Sequence, residues 1–327
     1  MTSDMTRPSG FADFIGEEKV KKVLEILCRS AKKKGQPIGH ILLSGGPGLG
    51  KTSLARILAA TLGSTLHEVI ASNLQTTDQM VKHLTKLKPL DILFIDEVHG
   101  LSRSVEEILY GALEDRKISV SQQGYDDLMK SLGMGKKNPT TVMVDLPPFT
   151  CIACTTLSGL VSDPLRSRFV QCLTLEPYSD DELTRIILIA ASKMEFPMAN
   201  EIAMEVAKRS RATARNAIMN LRWFAEYCEG TEVNPGKEAI EAAFALKDID
   251  PNGLTKVDRN YISVLTEAGT PLGVATIAAS VLENEETLLL AIEPFLLRGG
   301  WIRKTARGRV ATQKAFDLVN GKEATNA

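Results

Sequence analysis

The sequence predicts an α/β chain in three parts: a parallel-sheet domain over residues 1–176, a small all-helical domain over 177–250, and a winged helix over 251–327. Three observations carry this. Short apolar runs alternate with helical patterns through the first half. A glycine-rich turn joins one such run to the helix after it. Beyond Pro177 helices follow one another until a basic two-stranded ribbon appears near the C-terminus.

The first apolar run, His40 to Ser44, suits a buried strand, and Ser53 to Leu62 continues as a helix. Between them Gly45 to Thr52 reads Gly-Gly-Pro-Gly-Leu-Gly-Lys-Thr and fills the pattern G-x-x-x-x-G-K-[ST]. Such a loop curls backbone N–H groups around a polyphosphate at a helix N-terminus. Gly46, Pro47, Gly48, Leu49, Gly50, Lys51, Thr52 and Ser53 are therefore the candidate phosphate-binding residues. Lys51 has the reach for β- and γ-phosphates, and Thr52 the hydroxyl for Mg²⁺. ATP and Mg²⁺ are the expected ligands.

Further strands are expected at Leu66–Ile70, Ile92–Ile95 and Phe149–Ala153. The second runs directly into Asp96-Glu97, an apolar strand ending in adjacent acids. Asp96 is the candidate metal ligand, and Glu97 the candidate general base for an attacking water. The third run, continued to Cys154, holds Cys151 and Cys154. Residues i and i+3 of a strand point to opposite faces, so this C-x-x-C reads as buried reduced cysteine, not as a zinc or redox pair.

Ser179 to Glu182 is a capping box opening a helix to about Met194. Asn200 caps Glu201–Ser210, Thr213 precedes a helix through Tyr227, and Asn234-Pro235 starts a fourth that ends near Leu246. Asp250 to Gly253 is a linker. Lys256–Ala268, Val274–Val281 and Asn284–Leu297 are the helices of the last domain, and Trp301–Thr305 and Arg309–Thr312 its strands.

The net charge of −1 excludes a strongly basic chain. Locally, however, Pro294 to Phe316 holds no acid but six basic residues, Arg298, Arg303, Lys304, Arg307, Arg309 and Lys314. Arg307 and Arg309 flank Gly308 on the ribbon and are the candidate DNA contacts. They would meet phosphates, giving binding that tolerates sequence and weakens with salt. Trp301 is expected to pack under the wing. No apolar run matches a membrane span or a signal peptide, so the expected location is the cytoplasm.

The P-loop, Asp96-Glu97 and the helical lid resemble an AAA+ ATPase. More narrowly the chain resembles the RuvB family, ATP-driven motors that branch-migrate four-way Holliday junctions. The segments that carry this are Arg7-Pro8 with Phe14-Ile15-Gly16, Gly46 to Thr52, Leu93 to His99, Asp145 to Thr150, Pro164 to Phe169, and Arg307 to Thr312. The resemblance implies a ring, expected to be a hexamer, acting on double-stranded and branched DNA in recombination and repair. It implies that Thr156 is sensor one, that Arg168 is an arginine finger for the neighbouring subunit, and that Arg215 is sensor two. It also places Ile15 and Tyr178 around the adenine. A hairpin at 118–144 would dock a RuvA-like junction-binding partner, but it is longer than the family pattern, and Leu128, Met129, Leu132 and Met134 are expected to be exposed there. Two further departures are the lack of Gly and Pro in Ala212-Thr213-Ala214-Arg215, and Leu157 where the family has Arg. The alternative is a clamp-loader-like or protein-remodelling AAA+ switch, which would not depend on Arg307 and Arg309.

Overall fold

The computed structural model describes residues 6–121 and 141–321. In chain order the first elements are α1 (Glu18–Lys34), β1 (Ile41–Ser44), α2 (Lys51–Leu62), β2 (Leu66–Ile70), α3 (Thr77–Leu84), β3 (Ile92–Asp96), α4 (Arg103–Glu114), β4 (Lys117–Ser121), β5 (Thr141–Asp145), β6 (Thr150–Thr155), α5 (Asp163–Arg166) and β7 (Gln171–Thr174). Helices α6 (Asp180–Lys193), α7 (Asn200–Lys208), α8 (Ala214–Thr231) and α9 (Lys237–Ala245) follow. The chain ends with α10 (Lys256–Ala268), α11 (Val274–Val281), α12 (Glu285–Thr287), α13 (Glu293–Arg298), β8 (Ile302–Thr305), β9 (Gly308–Ala311) and α14 (Gln313–Val319). Contacts divide the chain into two units, Met1–Glu182 with Thr213–Arg215, and Leu183–Ala212 with Asn216–Ala327.

In the first unit β2, β3, β6, β1 and β7 form one all-parallel sheet in that order. Leu42, Leu93, Ile95, Cys151 and Ala153 on one face join a core with Met80 and Leu84 of α3 and Val105 and Leu109 of α4. Helix α2 packs against β3 and β6. The central strands β3, β6 and β1 are short and mostly apolar, as burial on both faces requires, while the edge strands β2 and β7 carry polar residues and are partly exposed. Strands β4 and β5 pair antiparallel from Lys117↔Asp145 to Ser121↔Thr141, forming the stem of the expected hairpin. Its apolar residues Leu128 to Met134 lie outside the described residues.

In the second unit α8 runs to Thr231, four residues past its expected end, and α10 and α11 match their expected spans. The expected helix at Asn284–Leu297 is instead broken. A π-helical turn at Leu288–Ile292 separates α12 from α13. Pro294, which lacks an N–H, stands at the start of α13 and cannot continue a regular ladder. The core here gathers Tyr261, Leu265, Ile277, Leu288, Leu296 and Trp301. Trp301 is buried, as expected, with Lys314 Nζ 4.0 Å from its ring centre. The helices of 183–250 share this unit with the winged fold. Arg211 reaches the buried Asp258 at the start of α10 with both guanidinium nitrogens, at 2.9 and 3.2 Å. It also donates to Ala291 O at 3.1 Å and lies 4.4 Å from the Phe295 ring centre, while Arg298 donates to Arg211 O at 2.9 Å.

Candidate nucleotide site and basic wing

Three adjacent strands, β3, β6 and β1, deliver the candidate residues to one end of the sheet. Ser44 at the end of β1 is level with Thr155 at the end of β6, and Ile95 of β3 is level with Ala153. The loop after β1, the acids ending β3 and Thr156 after β6 therefore emerge side by side. Ligands of open parallel sheets bind at the carboxyl ends of strands.

The loop opens α2, whose N-cap is Gly50 at φ 97°. A Cβ there would lie 2.9 Å from two ring atoms of Phe14, so this position needs glycine both for its dihedral and for space. Tyr178 is buried, and its hydroxyl donates to Leu49 O at 3.1 Å. Burial, with Glu17 and Glu182 nearby, pushes its phenol well up, so it serves as a neutral donor. Ile15 is buried next to Phe14 in the chain. Arg215, the second residue of α8, donates its backbone N–H to Gly48 O at 3.3 Å and has an exposed side chain.

Lys51 is buried and folded back on its own loop, donating to Gly45 O at 2.7 Å and Gly46 O at 2.9 Å. Burial lowers its pKa against the opposing pull of Asp96 and Glu97. Thr52 and Ser53 follow, half-buried, in the first turn. Asp96 is half-buried, and desolvation followed by repulsion from Glu97 raises its carboxyl above the ordinary range. A cation held at Asp96 would offset both effects. Glu97 adopts φ 50°, ψ 52°, and its Oε2 accepts from both the N–H and the Oγ of Thr156, each at 2.9 Å. The structure thus brings together the loop, both acids and Thr156.

Arg168 sits apart from this cluster, beyond α5. Its guanidinium pairs with Glu114 at 2.8 Å and lies 4.5 Å from the Tyr110 ring centre. Glu114 is mostly exposed, and such a pair contributes at most about 1 kcal/mol, so it exchanges readily.

The two wing arginines separate. Arg307 is exposed in the β8–β9 turn. Arg309 is 16% exposed and grips the fully buried Glu293 through Nε at 2.7 Å and a second nitrogen at 3.2 Å. Lys304 and the Tyr261 hydroxyl, each at 2.9 Å, complete Glu293's partners. Burial pushes that carboxyl up, but hydrogen bonds from Arg309, Lys304 and Tyr261 outweigh it and hold it below its usual range. Gly308, at φ 137°, has no room for a Cβ, which would sit 2.3 Å from Leu272 O. Leu272 bridges Arg309 as a one-residue third strand.

Sequence reasoning missed Phe14, whose ring closes on the loop, the partnership of Arg309 with Glu293, and His99 beside Glu97. Phe14 and His99 both lie in segments that carry the resemblance, whereas the Arg309–Glu293 pair left no local signal. Cys151 and Cys154 are both buried free thiols, and burial raises each.

Family models match the chain along its length. They are the Holliday junction DNA helicase RuvB P-loop domain over residues 6–175, the RuvB AAA lid domain over 178–250, and the RuvB C-terminal winged helix domain over 251–320. The Holliday junction branch migration complex subunit RuvB of Wolinella succinogenes is 40% identical over 318 residues, spanning 96% of this chain and 91% of its own. That of Campylobacter concisus is 38% identical over 319 residues, spanning 97% and 91%. The solved Thermotoga maritima RuvB Holliday junction branch migration motor is similar in fold, with a TM-score of 0.83 at 35% identity, covering 98% of this chain and 100% of that one. No helix among the described residues is long and apolar enough to cross a membrane.

Proposed function

The chain belongs to the RuvB family of P-loop AAA+ ATPases, and we propose that it is the ATP-hydrolysing motor that drives branch migration of four-way DNA junctions. The observation that carries the reading is the meeting of the Gly46–Thr52 loop, Asp96, Glu97 and Thr156 at the ends of three adjacent strands. In the proposed reaction the loop N–H groups and Lys51 cradle the phosphates, with Ser53 behind them. Lys51 gives up its two carbonyl partners to do so. Thr52 and Asp96 would hold Mg²⁺, which neutralises phosphate charge when bound. Glu97 orients and deprotonates the attacking water, Thr156 holds the γ-phosphate or that water, and Arg215 contacts the γ-phosphate in cis. Ile15 and Tyr178 flank the adenine.

Arg168 completes the site of a neighbouring copy, so the active form is a ring, proposed to be a hexamer. Arg307 contacts DNA phosphates, and Arg309 holds the wing that presents it. The setting is cytoplasmic recombination and repair. A RuvA-like protein, engaged through the 118–144 hairpin, is the proposed loader onto the junction.

The test is a junction-unwinding assay with ATP, with and without a junction-binding protein, alongside steady-state ATPase. Arg168→Ala is expected to lower turnover by about 10³-fold or more. ATPase that is equally fast at high dilution and in this variant would remove the shared-site mechanism.

A further inference from the structure

His99 lies in the short turn Val98–Gly100 directly after Glu97, its side chain 19% exposed. Its Nδ1 is 2.9 Å from Thr155 Oγ1 and 3.3 Å from Glu97 Oε2. The same Oε2 carries both contacts from Thr156. The N–H of Leu157 donates to Thr155 Oγ1 at 3.0 Å, fixing the hydroxyl that His99 faces. A carboxylate oxygen facing a nitrogen lone pair at this separation would be repelled, whereas an N–H there is attracted, so the proton belongs on Nδ1. Glu97 itself stands at φ 50°, in a region that long side chains seldom adopt, and its surroundings must hold it there.

Thr156 has one hydroxyl proton. It cannot donate that proton to Glu97 Oε2 and to a γ-phosphate oxygen at once. When the hydroxyl passes to the phosphate, Oε2 keeps the backbone N–H of Thr156 and the ring of His99. We infer that His99 is the positioning residue for Glu97: its single Nδ1–H, shared between Thr155 Oγ1 at 2.9 Å and Oε2 at 3.3 Å, holds Oε2 by electrostatic attraction when Thr156 turns to the nucleotide, leaving Oε1 to face water. This rests on the reading of Glu97 as the base and Thr156 as the phosphate contact.

Leucine and asparagine share one branched outline and differ in the amide, whose nitrogen takes the place of Nδ1. His99→Leu and His99→Asn are therefore compared in the full chain by steady-state ATPase with junction DNA, together with Glu97→Gln. His99→Leu should lower kcat about tenfold, the loss of one charge-assisted contact, with KM for ATP within about twofold. His99→Asn should recover kcat to within about threefold of the parent. Equal kcat in both variants, whether high or low, overturns the inference, as does a loss confined to KM. If Glu97→Gln keeps parental turnover, the base assignment itself fails. If Glu97→Gln is inactive and His99→Leu is normal, only the role of His99 fails.

Discussion

Arg309→Ala separates a wing that is held from a wing that touches DNA. The substitution strips Glu293 of two hydrogen bonds, at 2.7 and 3.2 Å, where the carboxylate has no exposed surface. Removing one partner of a buried ion pair costs about 3–5 kcal/mol. Lys304 and Tyr261 still reach the carboxylate, which sets the expectation at about 3 kcal/mol, the low end of that range. The loss should appear as a drop of roughly 10²-fold in hydrogen-exchange protection of the β8 and β9 amides in the full chain. Arg307→Ala should change that protection little and instead reduce the slope of log affinity against log salt by about one. The carboxyl of Glu293 is held below its usual value, so the stability it contributes is present above the unfolded value of about 4.3 and is lost as pH falls through the lower folded value. Arg309→Ala should flatten this acid limb. The reasoning is refuted if Arg309→Ala leaves protection intact and lowers the salt slope as Arg307→Ala does.

Gly50→Ala should abolish tight ATP binding, since the new Cβ must displace Phe14 at a dihedral alanine resists; fluorescent-nucleotide titration checks it, and parental affinity would contradict the packing. Ala212→Gly should stabilise the chain by about 0.5–1 kcal/mol, because Ala212 sits at φ 57°, a left-handed conformation that glycine adopts without a Cβ clash; denaturant midpoints read this. Gly308→Ala should lower DNA affinity and wing protection together, since its Cβ would drive Leu272 off β9, and normal binding would refute that strut.

The sheet and the nucleotide loop were legible because their signals are local. Apolar runs mark β1, β2, β3 and β6, and the loop's glycines, Lys51 and Thr52 are contiguous in sequence. Helices α10 and α11 were legible for the same reason, through apolar spacing within a single element. Strand β7 was not, because Gln171–Thr174 has the alternating polarity of a half-exposed edge strand. The split between Arg307 and Arg309 was also hidden: Glu293 is 16 residues before its partner, and only the folded core brings the two together. The break at Leu288–Ile292 escaped a periodicity reading because apolar spacing cannot distinguish one added residue per turn.

Arg211 acts as a weld where the lid helices meet α10 and α13. For the joint to slip, Asp258 would have to shed its guanidinium while still enclosed, at about 3–5 kcal/mol, several times thermal energy. The lid helices and the wing are accordingly clamped into one body at this joint, and a load applied to either is shared by both.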